Sequence, residues 1–276
     1  MPEGPEIRLA ADAVEAALAG CEVDEIGFAF EHLRRFERRL RGHSVERVET
    51  RGKAMLTHFD NGWTIYSHNQ LYGRWYVCAR DRLPKTGRQL RLALHNHRHS
   101  VCLYSASEID VIRRDRLYQH PFLARLGPDI LNQDPTVEKI VERLQSPAFA
   151  RRQLGALLLD QGFVAGLGNY LRAEILTLAH LHPNLRAIDC TPAQLQGLAR
   201  QIIKLTRRSY RTRGIVNPPA LVTRLKAAGL KKREQYRFNT YGRAGKACHY
   251  CGSEIDFNLS GGRKMYFCPG CQPLHL

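Results

Sequence analysis

Acidic residues are the scarce class in this chain of 276 residues: Asp and Glu number 26 against 42 Lys and Arg, leaving a formal net charge of +16. Long apolar runs are missing as well. None approaches the roughly 18 residues needed to span a bilayer, and Met1-Pro2-Glu3-Gly4-Pro5-Glu6 lacks the basic and apolar regions of a secretory leader. A soluble, cytoplasmic protein with no membrane partner is expected. The sequence has no internal repeat or low-complexity tract, which sets aside solenoids and collagen-like chains. With 43% hydrophobic and 25% charged residues, the composition is that of a globular protein of about two domains. Nothing marks an oligomer interface, so a monomer is expected.

The positive charge is concentrated. From Lys204 to Lys246 there are thirteen Lys or Arg and one acid, Glu234. So lopsided a block repels itself, and a polyanion such as nucleic acid relieves the repulsion. A solvated basic surface is the alternative.

The eight cysteines form two sets. Cys21, Cys78, Cys102 and Cys190 are scattered and read as small buried hydrophobes. Cys248, Cys251, Cys268 and Cys271 form two Cys-x2-Cys pairs separated by sixteen residues. That spacing lets two tight turns offer four thiolates to one structural Zn²⁺, and a reducing compartment argues against disulfides.

Local patterns divide the chain. Ile7, Ala10, Ala11, Val14, Ala17 and Leu18 recur at helical spacing, and Gly20 closes the run. Strand-like runs follow at 44–50, 54–59, 63–67, 74–78, 90–95 and 101–104, punctuated by Asp60-Asn61-Gly62 and other Gly and Pro signals. They predict an antiparallel sandwich or barrel led by a helix. Beyond Pro121 the patterns are helical, over 136–144, 151–160, 170–181 and 192–206. Gly127-Pro128-Asp129 reads as a hinge, and 214–241 reads as basic and partly irregular.

Three places carry chemistry. Removal of Met1 would leave Pro2 as a free secondary amine just ahead of a helix N-terminus. An α-amino group has a pKa of about 7.7–8.0, and the positive helix end should lower it. Such an amine can attack a sugar carbon and form an imine, with Glu3 beside it as proton donor. Taken alone, Met-Pro is also an ordinary chain start. The second place is Ala165-Gly166-Leu167-Gly168-Asn169-Tyr170, a glycine turn feeding a helix. It offers either a phosphate site, with Asn169 able to cap or to contact phosphate, or a plain inter-helix turn. The third is Arg263 in Gly261-Gly262-Arg263-Lys264, at the tip of a hairpin pinned by the cysteines, as a phosphate finger or an exposed side chain.

Met1-Pro2-Glu3-Gly4-Pro5-Glu6, Leu157-Leu158-Leu159-Asp160-Gln161, Ala165 through Leu176 and the four-cysteine finger together resemble the formamidopyrimidine-DNA glycosylase/endonuclease VIII family. The similarity runs along essentially the whole chain. Glu3-Gly4-Pro5-Glu6-Ile7-Arg8, Ser67-His68-Asn69-Gln70-Leu71-Tyr72-Gly73 and His120-Pro121-Phe122-Leu123 with Arg125 resemble the endonuclease VIII branch. The resemblance implies an α+β fold. A two-layer antiparallel β-sandwich with a leading helix would occupy 1–125, a helix-two-turn-helix domain 126–232, and a zinc-finger β-hairpin 239–273.

It also implies a bifunctional base-excision-repair enzyme acting on double-stranded DNA that holds a damaged base or an abasic site. Oxidised pyrimidines of the thymine glycol or dihydrouracil kind would be removed and the strand nicked by β,δ-elimination. By position, Pro2 would be the Schiff-base nucleophile, Glu3 the acid at the sugar, Lys53 the lysine of β-elimination and phosphate contact, and Arg263 the residue of δ-elimination. Gln70, Arg125 and Asn169 would contact DNA, the Gln70-Leu71-Tyr72 triplet would fill the space of the flipped base with Leu71 and Tyr72 replacing the lost stacking, and Glu6 matches an acid near the active site. The stretch 215–236 departs from that branch in being longer and more basic, so a purine-lesion glycosylase is the alternative. A non-catalytic zinc nucleic-acid-binding protein is the more distant one.

Overall fold

The computed structural model describes residues 2–260 and 262–274; Met1, whose removal would expose the Pro2 amine, and Gly261, at the expected hairpin tip, lie outside the described residues. The chain divides into two compact units, Met1–Arg125 and Leu126–Leu276.

The first unit opens with α1 (Gly4–Leu18), whose N-cap is Glu3 and whose first turn holds Pro5. Glu6 reaches back to accept the Glu3 backbone N–H at 3.0 Å, satisfying one of the donors a helix start leaves without an intrahelical partner. The helix buries Ile7, Ala11, Val14, Ala17 and Leu18, one stripe at 3.6-residue spacing. After it come β1 (Glu25–Phe28), the single turns α2 (Glu31–Arg34) and α3 (Glu37–Leu40), and β2 (Val45–Arg51), β3 (Ala54–Phe59), β4 (Trp63–His68), β5 (Arg74–Ala79), β6 (Leu90–His95), β7 (His99–Tyr104) and β8 (Glu108–Arg113). These make two four-stranded sheets, β2-β3-β4-β8 and β1-β6-β7-β5, with every pairing antiparallel. One apolar core joins α1 to both layers, through Val48, Met55, Phe59, Ile65 and Ile109 on one side and Ile26, Leu92, Leu94, Val101 and Leu103 on the other.

Strand β3 is buried at all six positions. Met55 and Phe59 face the sandwich core. Ala54 and Leu56 join Tyr66 in a second cluster, covered by Leu117, Phe122 and Leu123. Burial on both faces erases the alternation that marks a half-exposed strand. The sequence patterns miss β1 and β8, although Ile26 and Phe28, and Ile109 and Val111, alternate inward in both. Of the scattered cysteines only Cys102 is buried; Cys21, Cys78 and Cys190 are half-buried, so the hydrophobe reading holds for one of the four.

The second unit contains α4 (Val137–Gln145), α5 (Leu154–Leu157), α6 (Asn169–Leu178), α7 (Pro192–Arg211), α8 (Pro219–Ala227), α9 (Arg233–Tyr236) and the hairpin β9 (Asp256–Ser260) with β10 (Arg263–Phe267). Helix α6 lies at its centre, buried from Tyr170 through Thr177. The helix expected over 151–160 shrinks to α5, because Leu154 and Gly155 give their N–H groups to Leu185 and Pro183 rather than to an upstream turn. Helix α7 runs past the expected 206 to Arg211, and α8 and α9 occupy part of the stretch read as irregular. The loop read as a hinge is pinned. Gly127 donates to Gln161 O at 2.9 Å and Ala165 to Pro128 O at 3.0 Å, and a Cβ on Gly127 would stand 2.4 Å from Gly162 O. Close approach, not hinge freedom, explains that glycine. The cysteine hairpin shares the helical core through Met265 of β10.

Candidate functional site

In the first unit the candidate residues gather at one end of the sandwich. Pro2 is the residue just before the N-cap of α1 and is half-buried, while Glu3 is 2% exposed. Pro2 lines a cavity of about 320 Å³ with Glu6, Leu71, Tyr72, Arg74 and Arg88. Lys53 lies in the two-residue turn between β2 and β3, where Arg51 pairs with Ala54, and is 8% exposed. Since Ala54 pairs with His68, the Lys53 turn and the turn that follows β4 share one sheet end. The electrostatics agree. Burial lowers the His68 pKa, Glu108 opposes the shift, and the Lys53 charge adds to it.

The turn from Asn69 to Gly73 is closed by Gly73 N–H donating to Asn69 O at 2.7 Å. A side chain at Gly73 has no room, because its Cβ would meet Asn69 O at 2.5 Å. Gln70 takes a left-handed conformation with φ 48, a strain of about 1–3 kcal/mol for a residue other than glycine. Its side chain is occupied within the protein: Nε2 donates to Glu108 Oε2 at 2.9 Å, and Oε1 accepts from Ser107 Oγ at 2.6 Å. Leu71 and Tyr72 are 50% and 66% exposed, so neither is a core residue. Arg88 holds the Tyr72 carbonyl at 2.5 Å.

Arg125 lines a different cavity, of about 790 Å³, with His68, Glu108, Asp110, Arg116 and His120. Its guanidinium lies 5.8 Å from the Phe122 ring centroid. That cavity meets the turn through His68, which accepts the Gln70 backbone N–H at 3.1 Å, and through Glu108.

In the second unit Gly168, not Asn169, is the N-cap of α6. Asn169 is the first helical residue and donates through Nδ2 to Lys264 O at 3.1 Å. Gln161 shapes the glycine turn, accepting from Gly166 N at 3.0 Å and donating to Leu167 O at 2.9 Å. Arg263 opens β10 opposite Ser260 and is exposed at the hairpin tip. Asn169 and Arg263 therefore belong to one assembly, tied through β10.

The four expected cysteines converge, with all Sγ atoms within 4.8 Å of one another. Cys248 and Cys271 are 3.8 Å apart, Cys251 and Cys268 3.3 Å, and Cys251 and Cys271 3.4 Å. A disulfide needs about 2.05 Å, whereas a tetrahedron of thiolates with metal–sulfur bonds of about 2.3 Å has edges of about 3.8 Å. The cluster fits a single metal ion. Ser253 hydrogen bonds pull the Cys251 thiol down to about 6, and burial pushes Cys268 up to about 11. Backbone N–H groups of Tyr250 and Cys271 point at Cys248 and Cys268 sulfurs, both at 3.4 Å, as supporting donors around thiolates do.

Two buried charges missed in the sequence project from α6, Arg172 onto the hairpin and Glu174 onto the 239–241 segment. Arg172, 0% exposed, reaches Gly155 O at 2.8 Å and Ser260 O at 3.4 Å. Glu174, also fully buried, accepts the backbone N–H groups of Asn239, Thr240 and Tyr241 at 2.8–2.9 Å. Burial pushes its carboxyl up, and those N–H groups oppose the shift. Both residues interrupt an otherwise apolar helix, which was the available signal.

Among the described residues no helix is long and apolar enough to cross a membrane. Residues 1–105 match the profile of the formamidopyrimidine-DNA glycosylase N-terminal domain, and residues 126–217 that of the formamidopyrimidine-DNA glycosylase H2TH domain. The chain is 47% identical over 272 residues to Endonuclease 8 of Shigella sonnei and, equally, of Escherichia coli, covering 99% of this chain and 100% of each relative. Formamidopyrimidine-DNA glycosylase of Lactococcus lactis, solved with N7-benzyl-Fapy-dG DNA, has the same fold at a TM-score of 0.82 and 22% identity, over 99% of this chain and 100% of that one. The same enzyme with abasic-site DNA gives 0.80 at 21%, over 98% and 99%. Two matched domains and near-half identity along the full length lead to one conclusion: this chain belongs to the formamidopyrimidine-DNA glycosylase/endonuclease VIII family, the DNA glycosylases with AP lyase activity of base excision repair.

Proposed function

We propose that this protein excises oxidised pyrimidines from double-stranded DNA through a Schiff base on the Pro2 amine, and then cuts the strand on both sides of the sugar. The observation that carries the reading is the placement of Pro2: at the start of a capped helix, on the wall of a cavity it shares with the exposed Leu71 and Tyr72. The 47% identity to proteins named Endonuclease 8 favours pyrimidine over purine lesions.

The damaged nucleotide leaves the stack, since no protein amine reaches its sugar inside a duplex. Leu71 and Tyr72 occupy the vacated space. Glu3 protonates the sugar oxygen and assists ring opening, the Pro2 nitrogen bonds to C1′, and the C1′–base bond breaks as the proton lost from the Pro2 nitrogen leaves with the base. The resulting iminium acidifies the C2′ hydrogen. Lys53 takes that proton as the 3′ phosphate departs, and Arg263 steadies the 5′ phosphate through the second elimination. Asn169 and Arg125 contact the backbone of the DNA. Cys248, Cys251, Cys268 and Cys271 would hold one Zn²⁺, which supplies structural cross-linking of the hairpin and, with four protein ligands, leaves no position for water. Such an enzyme works where the chromosome is, in the cytoplasm of a bacterial cell.

Borohydride reduction on an abasic duplex tests the reading. A covalent protein–DNA adduct is expected with a free Pro2, and none when the N-terminus is acetylated or extended. An adduct that persists after blocking overturns the assignment of the nucleophile. No adduct from the unblocked protein would favour a non-catalytic nucleic-acid-binding role.

A further inference from the structure

The side chain of Gln70 is turned toward β8, not toward the cavity that holds Pro2. Its Nε2 donates to Glu108 Oε2 at 2.9 Å, Ser107 Oγ donates to its Oε1 at 2.6 Å, and its backbone N–H donates to His68 Nδ1 at 3.1 Å. Glu108 is itself fixed, because its second oxygen, Oε1, accepts from the Tyr66 hydroxyl at 2.9 Å. Tyr66 is fully buried, with its ring 4.1 Å from that of His120. A chain of contacts thus runs from the packed face of β4, through one carboxylate, to a residue held at φ 48. Immediately beyond it Leu71 and Tyr72 stand exposed. A turn with so strained a residue keeps its shape only when its surroundings over-determine it, and a carboxylate that accepts on both oxygens is the strongest clamp available here.

We propose that Glu108 is a positioning residue that holds the Gln70-Leu71-Tyr72 turn in its projecting shape before DNA arrives, with Gln70 as the anchor and Leu71 and Tyr72 as the inserted pair. The inference rests on the proposed function, and it assigns the three residues different tasks. Preorganisation matters where insertion opposes base stacking, and little where no stack exists.

The test compares excision of 5,6-dihydrouracil from a duplex and from the same single strand. Glu108→Ala is expected to lower kcat/KM on the duplex about tenfold, the worth of one charge-assisted hydrogen bond, chiefly through KM, and to leave single-strand excision within about twofold. Glu108→Gln loses clearly less than Glu108→Ala, because flipping the Gln70 amide restores both contacts as neutral hydrogen bonds. Tyr66→Phe, which frees one Glu108 oxygen, shifts the ratio in the same direction by less and serves if the alanine variant melts early. Equal losses on both substrates, an unchanged ratio in Glu108→Ala and Tyr66→Phe, or a Gln variant as impaired as Ala would overturn the proposal. Borohydride trapping by the wild type on single-stranded abasic DNA separates the two ideas. Trapping with an unmoved ratio sinks the role of Glu108 alone, and absent trapping sinks the function beneath it.

Discussion

In the Met1–Arg125 unit the exposed turn at Leu71 and Tyr72 rides on a sandwich whose central core is mainly apolar, from Ile7 on α1 to Leu103 on β7, with small hydroxyl side chains such as Thr57 and Ser67 buried among it. In the Leu126–Leu276 unit the hairpin that carries Arg263 turns only Met265 and Phe267 fully inward from β10, and no residue of β9 is fully buried. It is held instead by four sulfurs and by the buried charge Arg172, while Glu174 pins the 239–241 segment ahead of the first cysteine pair. Hydrophobic burial is non-directional and tolerates local change. Thiolate and charge anchors are directional, and the loss of one partner exposes the full desolvation cost of the other. The two units should therefore fail in different ways.

The largest separation is expected from a change confined to the first unit. Glu3→Gln should slow excision of a damaged base by roughly 10²–10⁴-fold, the usual worth of a positioned proton donor. Abasic sites have no base to expel and their sugar already equilibrates with an open aldehyde, so their cleavage should fall far less. The thermal transition should drop only by the loss of a helix cap, about 0.5–2 kcal/mol. Equal losses on damaged and abasic substrates, read from gel-based cleavage rates, would place Glu3 in some other step.

Metal removal probes the second unit. Chelation should unfold the hairpin, since small metal modules lose structure without their ion, and lower affinity for abasic-site DNA by about 10–100-fold as the Arg263 contacts go. The sandwich should melt as before. Calorimetry showing one unshifted transition, with unchanged DNA affinity, would mean that the four cysteines do not hold the hairpin.

Truncating Leu71 and Tyr72 together should cost about tenfold or somewhat more on a duplex lesion, given that aromatic–base stacking is worth about 1–3 kcal/mol. Single-stranded substrate should lose much less. With both side chains at least half-exposed, melting should stay at the wild-type value. A mutant that melts early would return the pair to a packing role.

The smallest effect concerns acid. The His58 imidazole, whose Nε2 lies 3.4 Å from Glu49 Oε1, together with the charges of Arg51 and Arg47, holds the Glu49 carboxyl down to about 2 against the opposing effect of burial. A depressed carboxyl contributes stability above its unfolded pKa and loses it as pH falls through the folded value. The sandwich should thus weaken between about pH 4.5 and 2, by about 1 kcal/mol for a partly exposed side chain. Glu174, pushed up by burial, has the opposite sign: protonation favours its folded state. Melts of the wild type and Glu49→Gln across that window measure the difference, and identical slopes would remove Glu49 as the cause.

Much of the architecture was readable because it rests on local chemistry. Glu3 and Pro5 start a helix wherever they precede an apolar stripe, Asp60-Asn61-Gly62 turns a hairpin, and two Cys-x2-Cys pairs converge because each pair needs only its own tight turn. The sequence placed strand β6 at 90–95 and β3 at 54–59, where apolar β-formers stand between turn signals. Strand β1 escaped because four residues are too few for a period to show, and the long helix expected over 151–160 failed because backbone partners from 183 and 185 compete for its N–H groups.

The candidate site divides in the same way. Pro2, Arg263 and the cysteines are legible as residues, since a proline next to the start, an arginine in a glycine-rich tip and paired thiols stand out where they are, whereas Lys53 emerges only through the family resemblance. Their supports are not. That Glu108 would meet Gln70 and Tyr66, that Glu174 would gather three backbone N–H groups from 239–241, and that Arg88 would hold the Tyr72 carbonyl are contacts between residues 16 to 67 positions apart. A carboxylate in a sequence shows its charge but not its partner. Only the packing of β8 beside β4, and of 239–241 against α6, decides which donors it meets and whether burial makes that meeting obligatory.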